Sequence, residues 1–159
     1  MTTAKRTQAR KAIDMVNRLF AVSTFLQRAG TRQVARWGLT QSQFTVLVEI
    51  ARSRDLAQKD VLGELLLEKS NLSKIIRKLQ QMELIHVDVQ KSDRRMSILN
   101  ATEKGKKLAR DCMAELDKMK VAFAAPLRPQ ELEHVLSAID HLEKLTHSHR
   151  AGSTKSKGA

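Results

Sequence analysis

Between Glu68 and Gln81 the sequence places Ser70, Asn71, Ser73, Lys74, Arg77, Lys78 and Gln81 at spacings that share one side of a helix. These are short hydrogen-bonding side chains and cations, with no carboxylate among them. Such a set can donate to phosphate oxygens and read the edges of base pairs. Arginine can bridge a guanine, and asparagine can bridge an adenine. Further along, Lys91-Ser92-Asp93-Arg94-Arg95 forms a polar run rich in cations. A carboxylate there lowers net charge, so Asp93 is better read as a brace that aims a guanidinium than as a contact to a polyanion.

The elements that must position these residues are legible around them. Leu72, Ile75, Ile76, Leu79 and Met82 recur at helical spacing and predict a buried stripe behind the polar face. The period then falls to two. Ile85, Val87 and Val89 alternate with His86, Asp88 and Gln90, which predicts a half-buried strand, with a return strand over Met96 to Asn100. The cationic run is the tip of that hairpin. A helix with a cationic face followed by a hairpin with a cationic tip suits duplex DNA: the helix enters the major groove and the tip reaches a neighbouring minor groove.

Other chemistries find less support. No glycine-rich phosphate loop, paired-carboxylate set or Ser/His/Asp arrangement occurs, so the chain does not read as an enzyme and no cofactor is expected. Cys112 falls on the apolar stripe of a helix and reads as a small core residue. His134, His141, His147 and His149 cluster late, but solvated histidines explain them better than a metal site. A single cysteine fits a reducing cytoplasm. No apolar run is long enough for a membrane span, and the basic start lacks the apolar segment of a secretory signal.

The 159 residues suffice for one ordinary domain with a real, mostly aliphatic core, since aromatics make up only 3%. The net charge of +12 is uneven. Residues 1–36 hold eight cations and one anion, residues 68–100 hold seven and four, and residues 103–145 balance at eight each. That distribution separates surfaces for polyanion contact from a neutral pair of helices suited to assembly.

In chain order, a long first helix is predicted from about Ala9 to Trp37, with Gly30 as a point of bending or interruption and Gly38 as its stop. Thr40 and Gln43 form a capping box for the second helix, whose predicted stripe is Phe44, Leu47, Val48 and Ala51. A short helix follows from about Gln58 to Leu65, then the cationic helix, making a helix-turn-helix. After the hairpin, Thr102 caps a helix with the seam Leu108, Cys112, Leu116, Met119 and Phe123. Pro126 ends it, and Pro129 opens a last helix with the stripe Leu132, Val135, Leu136, Ile139, Leu142 and Leu145. The tail from about His147 lacks apolar residues and is expected to be disordered.

The segments LTQSQFTVLVEIA, QKDVLGELLLEKSNLSKIIRKLQQMELI and DRRMSILNATEKGKKL resemble the MarR family of bacterial transcriptional regulators. The Asp-Arg-Arg tip followed by Thr-Glu-Lys-Gly is the most specific part. The resemblance implies a mainly α (α+β) fold, a winged helix-turn-helix with long N- and C-terminal dimerisation helices. It implies a homodimer that binds a pseudo-palindromic operator in double-stranded DNA and represses until a small aromatic or other effector releases it. Residues 1–36 and 102–146 would make the dimer, 37–101 would bind DNA, and 147–159 would be a disordered basic tail. Ser70, Asn71, Ser73, Lys74, Arg77 and Lys78 would enter the major groove. Lys91, Ser92, Asp93, Arg94 and Arg95 would form the wing. The chain departs from the family at Glu83, where glycine is common, at Ala57, where a hydroxyl cap is common, and at Ala101, where leucine is common before Thr102. The alternative is an architectural or protein-interaction module that binds DNA without sequence choice.

Overall fold

The structure is a computed structural model that describes residues 3–65, 68–89 and 97–153, with the side chains of 3–4, 63–65, 89 and 147–153 left aside. Among the described residues, six helices and a small sheet follow in the order α1 (Thr3–Ala35), α2 (Gln41–Arg52), β1 (Leu56–Ala57), α3 (Gln58–Leu65), α4 (Lys69–Gln81), β2 (Ile85–Val89), β3 (Ser97–Ala101), α5 (Glu103–Ala124) and α6 (Pro129–Ser153). The mainly helical winged helix-turn-helix expected from the sequence is the fold observed.

Two compact units are present, residues 1–116 and residues 117–159. The first unit joins α1 and α5 as far as Leu116 to the winged helix. The cause is packing: Gly105, Ala109, Cys112 and Leu116 of α5 are buried.

The core of the first unit is aliphatic. Val46, Leu47 and Ile50 from α2, Leu72 and Leu79 from α4, and Leu99 from β3 are all fully buried. α2 packs against α4 and β3, and α4 against β2. The sheet has the order β1-β3-β2, both pairs antiparallel. In the β2–β3 ladder Ile85 lies opposite Ala101 and Val89 opposite Ser97. The return strand runs one residue past the expected Asn100, to Ala101, and Met96, its expected first residue, lies outside the described residues. β1 was not expected, because two residues are too few to display a period. It pairs Leu56 with Leu99 and Ala57 with Ile98, which places Ala57, the residue directly before α3, in the sheet.

Several local predictions hold. Gly38 ends α1 at φ +74°. The Thr40 N–H donates to Gln43 Oε1 at 2.9 Å, and the Gln43 N–H to Thr40 Oγ1 at 3.3 Å, completing the capping box. Others need correction. α1 runs unbroken through Gly30, because one glycine inside 33 helical residues weakens the helix without stopping its hydrogen bonds. α2 buries Phe44, Val46, Leu47 and Ile50, while Val48 and Ala51 are only half-buried. Its inward face is rotated because β3 and α4 cover adjoining sides. The α5 seam is Gly105, Ala109, Cys112 and Leu116, and Phe123 is 47% exposed. Small residues were passed over in the apolar count, yet here they permit close approach. α6 continues to Ser153, past the expected end, because no proline or glycine stops it before Gly152.

Candidate nucleic-acid interface

α4 carries the candidate site. Leu72 and Leu79 are fully buried, and Ile75 and Ile76 are 5% and 6% exposed. Each such side chain contributes roughly 1.5–3 kcal/mol on leaving water, which pins the rotation of the helix about its axis. Ser70, Asn71, Lys74, Arg77 and Lys78 consequently point outward and are exposed. Ser73 is half-buried, and its hydroxyl donates to the Lys69 carbonyl at 2.9 Å. It keeps acceptor capacity toward a ligand, but its proton is engaged on its own helix. Among the described residues the side chains of Lys74, Arg77 and Lys78 form no hydrogen bond or ion pair. The N-cap Glu68 makes no side-chain hydrogen bond to the first turn.

The end of α4 is locked by a feature that sequence reading treated as a departure. Glu83 has φ +59°, the left-handed conformation that usually calls for glycine. The Glu83 N–H donates to Gln80 O at 2.9 Å and the Leu84 N–H to Leu79 O at 3.0 Å. This is the hydrogen-bond pair of a Schellman motif, with Leu79 and Leu84 both buried as its apolar contact. Lys104 Nζ donates to Met82 O at 2.9 Å and to Glu83 Oε2 at 3.1 Å, so a lysine from α5 holds the turn where a glycine would need no help.

Thr102 ties α5 to the same place. Its hydroxyl contacts Glu83 O at 2.8 Å and Leu84 O at 3.2 Å, and accepts from the Gly105 N–H at 3.0 Å. A Cβ added at Gly105 would lie 2.0 Å from the Leu84 carbonyl oxygen. Gly105 is thus the residue that lets α5 sit directly on the backbone leaving α4. Its signal in the sequence was its place in the Thr-Glu-Lys-Gly run, and no property of the glycine alone revealed the contact.

On the hairpin, Ile85 is buried and His86 and Asp88 are exposed, the alternation expected. His86 Nε2 lies 3.7 Å from Asp88 Oδ2. A brace at the opposite side was missed: Asn100 Oδ1 accepts from the Asp55 N–H, and Asn100 Nδ2 donates to Asp55 Oδ1, each at 3.0 Å. Asp55 itself has φ +54°, so the side-chain pair holds the turn before β1. The five wing residues named from the sequence, Lys91, Ser92, Asp93, Arg94 and Arg95, lie outside the described residues.

Cys112 is fully buried, and burial pushes its thiol pKa up. Among the described residues no group of three or more His, Cys, Asp or Glu could hold a metal ion, and no helix is long and apolar enough to cross a membrane.

Residues 37–96 match the MarR family. No curated protein matches the chain. Among solved structures, a mutant of MepR from S. aureus shares 20% identity over 82% of this chain and 97% of its own, with a TM-score of 0.75. YusO from Bacillus subtilis shares 18% identity over 90% and 99%, with a TM-score of 0.74. A complex of S. aureus MepR with DNA shares 19% identity over 81% and 96%, with a TM-score of 0.67. At such identities the likeness shows the fold.

Proposed function

We propose that this chain, whose residues 37–96 match the MarR family, is a sequence-specific transcription regulator that binds a pseudo-palindromic operator as a homodimer. The observation that carries the reading is the outward face of α4. It presents Ser70, Asn71, Lys74, Arg77 and Lys78 to solvent, with the three cations unpaired among the described residues. Phosphate contacts from cations supply affinity without sequence choice, and side chains at base edges supply the choice. Ser73 takes part as an acceptor, and Lys91, Ser92, Asp93, Arg94 and Arg95 extend the contact into the minor groove. The MepR–DNA complex, which shares this fold, supports the reading.

Dimerisation follows from apolar surface. On α1, Ile13 is 62%, Phe20 68% and Phe25 56% exposed. In the second unit Val121 is 69% and Leu136 47% exposed. Apolar patches of this kind mark association surfaces. A two-fold dimer sets its recognition helices about 34 Å apart, one turn of DNA. The regulator represses by occupying its operator, and an effector that alters this spacing releases it.

The test is protection of the region upstream of its own gene. A footprint over a pseudo-palindrome is expected, and Arg77→Ala should weaken binding by about 1–3 kcal/mol and relax preference at one base pair. Equal affinity for random duplexes would instead favour an architectural protein, a reading the net charge of +12 also accommodates.

A further inference from the structure

The outer face of α1 is left over once the core and the α4 surface are accounted for. α1 holds seven cations and a single anion, Asp14. At 3.6 residues per turn, Arg6, Arg10 and Lys11 near its start, Arg18 at its middle, and Arg28 and Arg32 near its end fall within one arc of about 140°. All six are exposed. At 1.5 Å per residue they form a ridge about 39 Å long. Among the described residues of α1 only Val34 is buried. It lies roughly opposite the arc, so the ridge points away from the core.

The ridge is cationic beyond what a solvated helix face needs. Such a face ordinarily mixes signs and gains from opposite charges one turn apart. Here only Arg18 has that partner: its Nε donates to Asp14 Oδ2 at 2.8 Å. Arg6, Arg10, Lys11, Arg28 and Arg32 form no side-chain hydrogen bond or ion pair among the described residues. Arg6 with Arg10, and Arg28 with Arg32, are like charges at i, i+4, a spacing that destabilises a helix. The first turn holds no acid, so the cations near the start also oppose the helix dipole. A linear polyanion laid along the ridge would offset both effects, and duplex DNA carries a charge about every 1.7 Å of its axis. Phe25 is the one large apolar residue of α1 inside the arc. That is too little to seat the ridge in a bilayer, and single strands call for a run of aromatic platforms.

We propose that the α1 ridge binds the phosphate backbone of a second DNA duplex without sequence choice, so that the protein bridges two duplexes. α1 and α4 both pack on α2. Each turns its cations away from the core, α1 opposite Val34 and α4 opposite Leu72, Ile75, Ile76 and Leu79. α2 therefore lies between the two cationic surfaces, and a duplex held by α4 leaves the ridge open to another. Of the apolar residues assigned above to the dimer, Ile13 and Phe20 lie outside the arc and Phe25 inside it. A partner copy thus reaches the ridge at Phe25 and leaves Arg6, Arg10 and Lys11 accessible. The bridging rests on the DNA-binding reading; the phosphate contact itself does not.

Fluorescence anisotropy on the full chain tests the contact, with a random-sequence duplex of about 40 base pairs titrated at rising NaCl. Arg6→Gln/Arg10→Gln/Lys11→Gln should weaken binding about tenfold or more and reduce the slope of log affinity against log salt by about 2 to 3. Arg28→Gln/Arg32→Gln should reduce the slope by about 1 to 2, whereas Arg28→Lys/Arg32→Lys, which keeps the charge, should stay within about threefold of the parent affinity. None of these side chains is buried, so helical content and sedimentation should not change. Bridging is read as retention of a labelled duplex on beads that carry a tethered one. The parent chain should retain it, and the Arg6/Arg10/Lys11 variant should release it. The proposal is overturned if both glutamine variants keep the parent slope, or if no second duplex is retained. Binding to a single strand of the same length, or to vesicles of phosphatidylglycerol and phosphatidylcholine, as tight as to the duplex would also overturn it. Lys74→Gln/Arg77→Gln separates the two readings. If it leaves affinity for the gene's upstream region unchanged while the α1 variants lose affinity for the duplex, the regulator reading fails and the ridge stands. The converse defeats the ridge alone.

Discussion

Glu83 shows how one residue can satisfy a backbone demand that its own chemistry opposes. A left-handed φ costs an L side chain about 1 kcal/mol or more, and here the Lys104 ammonium offsets part of that through Met82 O and Glu83 Oε2. The ion pair is largely solvent-exposed and contributes little. Glu83→Gly is therefore expected to hold or raise stability, by up to about 1 kcal/mol, while Glu83→Val lowers it, since β-branching forbids this φ. Urea unfolding of both variants checks the pair; equal losses would mean that the carboxylate is essential. Cys112 supplies a second test. Its burial raises the thiol pKa, so at pH 8 the thiolate fraction lies below that of a free cysteine. Iodoacetamide should label it slowly in the folded protein and rapidly in urea. Fast labelling of the native protein would contradict its burial.

At the scale of elements, the joint between α4, β2 and α5 decides where the candidate interface points. The Schellman turn at Glu83, the Thr102 cap and the close approach at Gly105 all meet at the Leu84 backbone. Gly105→Ala should cost about 1–3 kcal/mol or more, because the contact is with backbone and not with a side chain that can swing aside. Near-native stability by thermal unfolding would show that α5 can shift without penalty. Thr102 as cap was legible in the sequence, since a threonine before a helical pattern has a local meaning. The role of Gly105 was not. A glycine is informative only through what lies opposite it, and Leu84 is 21 residues away along the chain.

At the scale of the molecule, large apolar side chains remain exposed on α1 and in the second unit. A homodimer that covers them should be broken by a charge placed at their centres. Phe20→Glu and Leu136→Glu, at positions 68% and 47% exposed, are expected to shift the protein toward monomer in sedimentation experiments while leaving its helical content intact. Loss of the second half-site contact should then lower operator affinity by a hundredfold or more, as happens when linked binding becomes single. A stable dimer in both variants would place the assembly surface elsewhere.

Much of this architecture is local and could be read from the chain. The 3.6-residue stripe of α4, the alternation of β2, the Thr40 capping box and the stop at Gly38 depend on neighbours a few positions apart. The outward polar face of α4 follows from the same stripe, because burying Leu72, Ile75, Ile76 and Leu79 leaves only one way for Lys74 and Arg77 to point. Tertiary structure alone decided which side of α2 is covered, that small residues form the α5 seam, and that Leu56–Ala57 join the sheet. The physical reason is common to all three: each depends on which distant element arrives opposite, and a residue's own type and spacing carry no record of that partner.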